Sequence, residues 1–155
     1  MIKEITGLHH ITSMASNANA NNAFFTKTLG LRRVKKTVNF DAPEVYHLYY
    51  GDEIGTPGSV MTYFPFAKMS SGQRGAGEVS ITEFAVPKDA LGFWKERLSA
   101  LGVSSLIESS FLGEKRLSFD GPDGDGFALV ESDVRDRTPW AEADVPEEAG
   151  ILGFH

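Results

Sequence analysis

The chain contains no cysteine. Disulfides, zinc–thiolate centres, iron–sulfur clusters and cysteine nucleophiles are therefore excluded, and nothing points to an oxidising compartment. No apolar run approaches the roughly 18 residues needed to cross a bilayer. The start, MIKEITG, is charged and lacks an apolar segment, so no signal peptide is expected and a cytoplasmic location is the default. A basic excess is missing too: 15 Lys and Arg stand against 21 Asp and Glu, a net charge of −6. Nucleic acid and anionic membrane both select Lys/Arg-rich surfaces, so neither is expected as a partner. The one basic cluster, RRVKK (Arg32 to Lys36), alternates around Val34 and reads as an exposed strand edge. The glycines form no GxGxxG or P-loop, and no serine sits in a GxSxG context. The run DGPDGDG (120–126) puts Pro and Gly at the third and fifth positions of a would-be calcium loop, so it reads as a tight turn.

What is present is an ordinary globular composition, 41% hydrophobic and 23% charged over 155 residues. The chain also repeats itself. ITGLHHITSMA reads as a strand. SNANANNAFFTKTLGL then reads as a helix with Asn17 as N-cap and Gly30 just past its end. Three strand-like runs follow at 32–40, 44–52 and 59–66, separated by the turn signals DAP and EIGTPG. After a small, polar, Gly-rich stretch (67–77), the same order returns. A strand at 78–86 precedes a helix at 87–102, and the runs SSLIESSFL, KRLSFDG and FALVES follow. The expected fold class is α+β, with two tandem βαβββ modules at 1–66 and 78–133. The Pro- and acid-rich stretch from 134 reads as a linker. The closing ILGFH (151–155) echoes ITGLH (5–9), as though a third module began there. The expectation drawn from that echo is the front half of a longer protein.

Histidine is scarce, and two of the four, His9 and His10, are adjacent in GLHHIT. In a strand His10 and Thr12 share one face, while His9 and Ile11 point to the other. Neutral imidazole is a good ligand for Fe(II). A buried histidine bonded to backbone explains the same residue, and the bare sequence leaves both readings open. His47 alternates with Val45 and Tyr49; an inter-strand packing role is expected, with a place in the same cavity as His10 as the alternative. His155, being terminal, is expected to be disordered. The aromatic set Tyr46, Tyr49, Tyr50, Tyr63, Phe64 and Phe66 is expected to be mostly core, with some members lining an aromatic pocket.

Paired modules, a histidine in the opening strand and the string LGLRRVKKTVNFDAPEVYHLYYGD together resemble the vicinal oxygen chelate (glyoxalase-like) superfamily. That superfamily includes glyoxalases, antibiotic-resistance proteins and extradiol dioxygenases. The match is nearest to bacterial ring-cleaving dioxygenases of the hydroquinone type, which share HHIT, KKTVNFD, YHLYYGD, PGS and TYFPF. The resemblance implies four modules in the whole protein, of which this chain has two. It implies His10 as a metal ligand for Fe(II), with Mn(II) possible, and His9 and Thr12 as proton-handling or substrate-placing residues. The remaining histidine and glutamate are expected from outside this chain, and a lone imidazole holds iron weakly. This chain alone is therefore expected to bind no stoichiometric metal. The second module has Ser80 and Ile81 where the first has His9 and His10, and Ala128 where a glutamate ligand would fall. Glu131 is expected to face solvent. The implied partners are a small aromatic substrate and O2, with self-association or packing against further modules. A glyoxalase-like metal-dependent lyase or isomerase and a non-catalytic small-molecule-binding protein are the alternatives.

Overall fold

The computed structural model describes all residues except 1–3, 6, 68, 71, 134–136 and 142–143. The first half builds a four-stranded sheet from β1 (His10–Ala15), β2 (Arg32–Val38), β3 (Tyr46–Gly51) and β4 (Val60–Pro65), in the order β1-β4-β3-β2. The second half builds the same arrangement from β5 (Ile81–Val86), β6 (Ile107–Phe111), β7 (Glu114–Asp120) and β8 (Gly126–Glu131). In each, the opening strand runs parallel to the closing one, and the remaining pairs are antiparallel. A helix lies between the first two strands of each module, giving the α+β, twice-repeated βαβββ fold. The basic run does form the sheet's outer strand, with Arg32, Arg33, Lys35 and Lys36 exposed. A register shift between Arg33 and Lys35 interrupts its alternation.

The first helix is shorter and less regular than its sequence suggests. Asn17 caps it, its side chain accepting from the Asn19 and Ala20 amides. Only α1 (Ala18–Ala23) is α-helical, and Phe24–Thr28 then widens into a π-helical turn. Adjacent aromatics drive this, since the wider turn lets both Phe24 and Phe25 reach the interior. Phe25 stacks on Tyr50 at 4.8 Å and meets Phe127 of the other module edge-on at 5.9 Å. Phe24 lies 5.7 Å from Phe127 and 6.5 Å from Phe119. The two modules thus share one continuous hydrophobic core. The second helix, α2 (Leu91–Ala100), begins four residues later than its Pro87 start signal. Asp89 sits at φ +65°, which a right-handed helix does not admit. Trp94 and Leu98 face inward, and the Trp94 indole donates to the Ala149 carbonyl at 2.8 Å.

Polar ties cross between the modules. Arg97 of α2 donates to the carbonyls of Lys27 and Thr28 at the C-terminal end of the first helix, at 2.5 and 3.0 Å, and to that of Asp144 at 2.8 Å. A cation there also complements the helix dipole. The hydroxyl of Tyr63 donates to Asp125, in the turn before β8, at 2.7 Å.

The chain end departs from expectation. His155 is placed, not disordered: Gly153–Phe154 forms β9, which pairs antiparallel with β5. The His155 amide donates to the Glu83 carbonyl, and its ring lies 2.9 Å from Glu114. Backbone pairing with a sheet edge supplies the order that the sequence signal could not.

Burial raises the Asp125 carboxyl above its ordinary 3.8, against the opposing pull of the Tyr63 bond. The folded state therefore binds this proton more readily than the unfolded one, so stability falls as pH rises from 3.8 through the folded pKa. Asp125→Asn keeps the acceptor for Tyr63 and removes the buried charge. It is expected to be at least as stable as wild type at pH 7 in thermal denaturation, with its relative advantage shrinking toward pH 4. Asp125→Ala is expected to be less stable than both. A Tm for Asp125→Asn below wild type at pH 7 contradicts this account.

Candidate functional site

Because both modules turn their helix-covered faces inward, the other face of the first sheet looks outward. Register places Thr12 opposite Thr62, Thr62 opposite Tyr49, and Tyr49 opposite Lys35. His10, Thr12, Thr62, Phe64, His47 and Tyr49 share the parity of that outward face. His47 does pack between strands, and it also belongs to the same polar row as Thr12.

Both adjacent histidines are exposed, and their Nδ1 atoms lie 3.1 Å apart. β1 starts only at His10, so strand alternation does not by itself place His9. One of the two nitrogens donates. With the proton on His10 Nδ1, the His10 Nε2 lone pair faces outward, the arrangement a ligating histidine needs.

From Thr12 a series of hydrogen bonds runs across the sheet. The Thr62 hydroxyl donates to Thr12 Oγ1 at 2.8 Å. His47 Nε2 lies 3.1 Å from Thr62 Oγ1, and His47 Nδ1 lies 2.8 Å from the Tyr49 hydroxyl. The imidazole packs against the rings of Tyr49 and Phe64, at centroid distances of 4.1 and 4.0 Å. The Lys35 ammonium sits 5.4 Å above the Tyr49 ring on this face. Burial, then the nearby His10, then Lys35 hold the His47 pKa below its ordinary 6.5.

The histidine pair is seated by the β3–β4 loop. Buried Asp52 accepts from the amides of Ile54, Gly55 and Thr56 through one oxygen, at 3.2, 2.7 and 2.9 Å. That fixes the loop leading to Gly58, whose amide donates to the His9 carbonyl at 2.7 Å. Gly58 needs its φ of +89°, and a Cβ there would meet Arg137 at 2.8 Å. The Gly58 carbonyl in turn accepts from the Phe154 amide at 2.7 Å and from Arg137 at 2.8 Å. Sequence reasoning missed Asp52, Thr62 and Gly58. The turn string GDEIGTPGS marks a loop but not what it holds.

On the matching face of the second module the described residues form a charged pair, Glu83 with Arg116 at 2.5 Å, in place of the histidine and hydroxyl row. Ala128 is fully buried. Glu131 does not face solvent as expected; its side chain is 11% exposed and lies 3.8 Å from Lys115. Among the described residues no three His, Cys, Asp or Glu side chains converge as a metal site requires. A cleft of about 1010 Å³ runs between the modules, with Thr12 and Phe64 at one side and Asp123 and Asp125 at the other. His9 and His10 are not among the residues lining it.

Two outcomes follow from this geometry. Asp52→Ala leaves three amides without their acceptor and is expected to cost about 1–3 kcal/mol in urea unfolding. It is also expected to speed hydrogen exchange at the Gly58 amide; unchanged exchange there would separate the loop from the histidines. For His47, the unfolded state binds more protons between the lowered folded pKa and 6.5, so stability is full above 6.5 and falls as pH drops through that window. An NMR titration of the metal-free chain is expected to place the His47 midpoint below 6.5, and a midpoint above it contradicts the burial argument.

No family profile matches the chain. Over 154 residues it is 40% identical to the Bacillus subtilis protein named "Putative ring-cleaving dioxygenase MhqO", covering 99% of this chain and 49% of that protein. Over 157 aligned positions it is also 40% identical to the chlorohydroquinone/hydroquinone 1,2-dioxygenase of Sphingobium indicum, again covering 99% and 49%. The chain therefore spans about half the length of the curated relatives it matches. A crystal structure titled "putative dioxygenase" from Bacillus subtilis superposes with a TM-score of 0.91 at 40% identity, over 96% of this chain and 47% of that one. FosX of Listeria monocytogenes, a fosfomycin resistance protein solved with Mn(II), has a TM-score of 0.60 at 18% identity over 84% of this chain and 95% of that one, a likeness of fold. In sequence the chain is similar to about half the length of proteins named as ring-cleaving dioxygenases, and in fold it is like proteins of the glyoxalase and fosfomycin-resistance type.

Proposed function

We propose that this chain is one half of a non-haem, metal-dependent ring-cleaving dioxygenase acting on dihydroxy-aromatic substrates. The observation that carries the reading is the 40% identity, across 99% of the chain, to a hydroquinone 1,2-dioxygenase. His10 is the residue on this chain to hold Fe(II), or Mn(II) in its place, through Nε2, with further ligands from modules outside these 155 residues. Such an ion, when bound, brings a dihydroxy-aromatic and O2 together. This chain's own residues do the rest locally. His9 orients the His10 ring, and Thr12 offers its hydroxyl to a substrate oxygen or its proton. Phe64 and Tyr49 give an aromatic wall beside them.

One observation favours a second reading for the 155 residues by themselves. The described residues contain no converging metal triad, which suits a small-molecule-binding role without catalysis. Oxygen uptake separates the two readings, and it also separates the first from a glyoxalase-like lyase or isomerase. In the protein at its relatives' length, hydroquinone is expected to drive O2 consumption. His10→Ala is expected to abolish that consumption and to lower the bound iron measured by elemental analysis. Undiminished uptake or iron in His10→Ala overturns the assignment.

A further inference from the structure

Thr62 is fully buried, with one hydroxyl hydrogen and two neighbours, Thr12 and His47. The direction is set at the other end: the Tyr49 hydroxyl, a stronger acid than a neutral imidazole N–H, donates to His47 Nδ1, so the Thr62 oxygen receives the bond from Nε2 and its own hydrogen goes to Thr12. His47 Nε2 then carries the ring proton, and Nδ1 is left bare to accept. All three bonds therefore run one way, from Tyr49 to His47 to Thr62 to Thr12. Two aromatic rings against the imidazole resist the flip that would exchange its nitrogens. At the far end Thr12 has accepted a bond and still holds its own hydrogen, at an exposed position two residues from His10.

We propose that His47 is a positioning residue which, as the Nε2–H tautomer, makes Thr12 a hydrogen-bond donor toward an acceptor oxygen of the ligand bound beside His10. The ligand's aromatic nature rests on the reading under Proposed function; the direction of the relay does not. The reverse order, with the proton on Nδ1, would turn Thr12 into an acceptor and would select a ligand hydroxyl in place of a phenolate or carbonyl oxygen.

The tautomer is read directly by long-range proton–nitrogen NMR of the His47 ring in the metal-free chain at pH 8. A protonated Nε2 with a bare Nδ1 supports the relay, and a protonated Nδ1 or an even mixture overturns it. The kinetic arm uses the protein at its relatives' length with hydroquinone in an oxygen electrode. His47→Leu and Thr62→Val are each expected to lower kcat/KM about tenfold, and the double variant no further, because they cut one series. His47→Gln places an amide N–H where Nε2 stood and a carbonyl where Nδ1 stood, and is expected to stay within about threefold of wild type. Multiplying losses, or Gln as damaging as Leu, overturn the proposal. Should wild type consume no O2, the dioxygenase reading falls, and the tautomer measurement upholds or overturns the relay by itself.

Discussion

The aromatic contact between Phe24, Phe25 and Phe127 decides which way every other surface points. Each four-stranded unit has two faces and one short helix to cover them. Sharing the helix-covered faces in a single core satisfies the hydrophobic effect for both modules at once. The opposite faces are then left outward, and the row of His10, Thr12, Thr62 and His47 lies on one of them. The π-helical turn is the local cost of this arrangement. It gives up regular α-helical hydrogen bonding so that two consecutive phenylalanines can both be buried.

On that outward face, chemistry follows from register. A parallel β1–β4 pairing puts Thr12 beside Thr62, and an antiparallel β3–β4 pairing brings His47 within one diagonal of Thr62. A slip of one residue in either pairing would send the hydroxyls into the core and break the series. The second module has the same topology but sets an ion pair, Glu83 with Arg116, where the first has hydroxyls and His47, so the duplicated fold does not duplicate the row.

Much of this was legible in the residues. The repeat, the strand runs, the Asn17 cap and the edge character of RRVKK all rest on local signals, namely periodicity, turn residues and capping side chains. Local signals do not carry long-range pairing. His47 and Thr62 are 15 residues apart, and only the fold shows that they meet. His9 lies just ahead of β1, so strand alternation alone does not place its side chain. Glu131 was misjudged because parity was read without the neighbouring Lys115. His155 gained order from an edge strand 70 residues earlier in the chain, a contact no nearby residue announces.

Gly58 joins parts of the molecule that the sequence keeps far apart. Its amide supports the backbone of the histidine pair, while its carbonyl is shared by Arg137 and the final strand. The backbone at His9 is therefore anchored partly by residues more than a hundred positions downstream. A Cβ at Gly153 would run into Arg137 and the Gly58 carbonyl, so a change at 58, 137 or 153 is felt by the other two, although only one of them lies near the site.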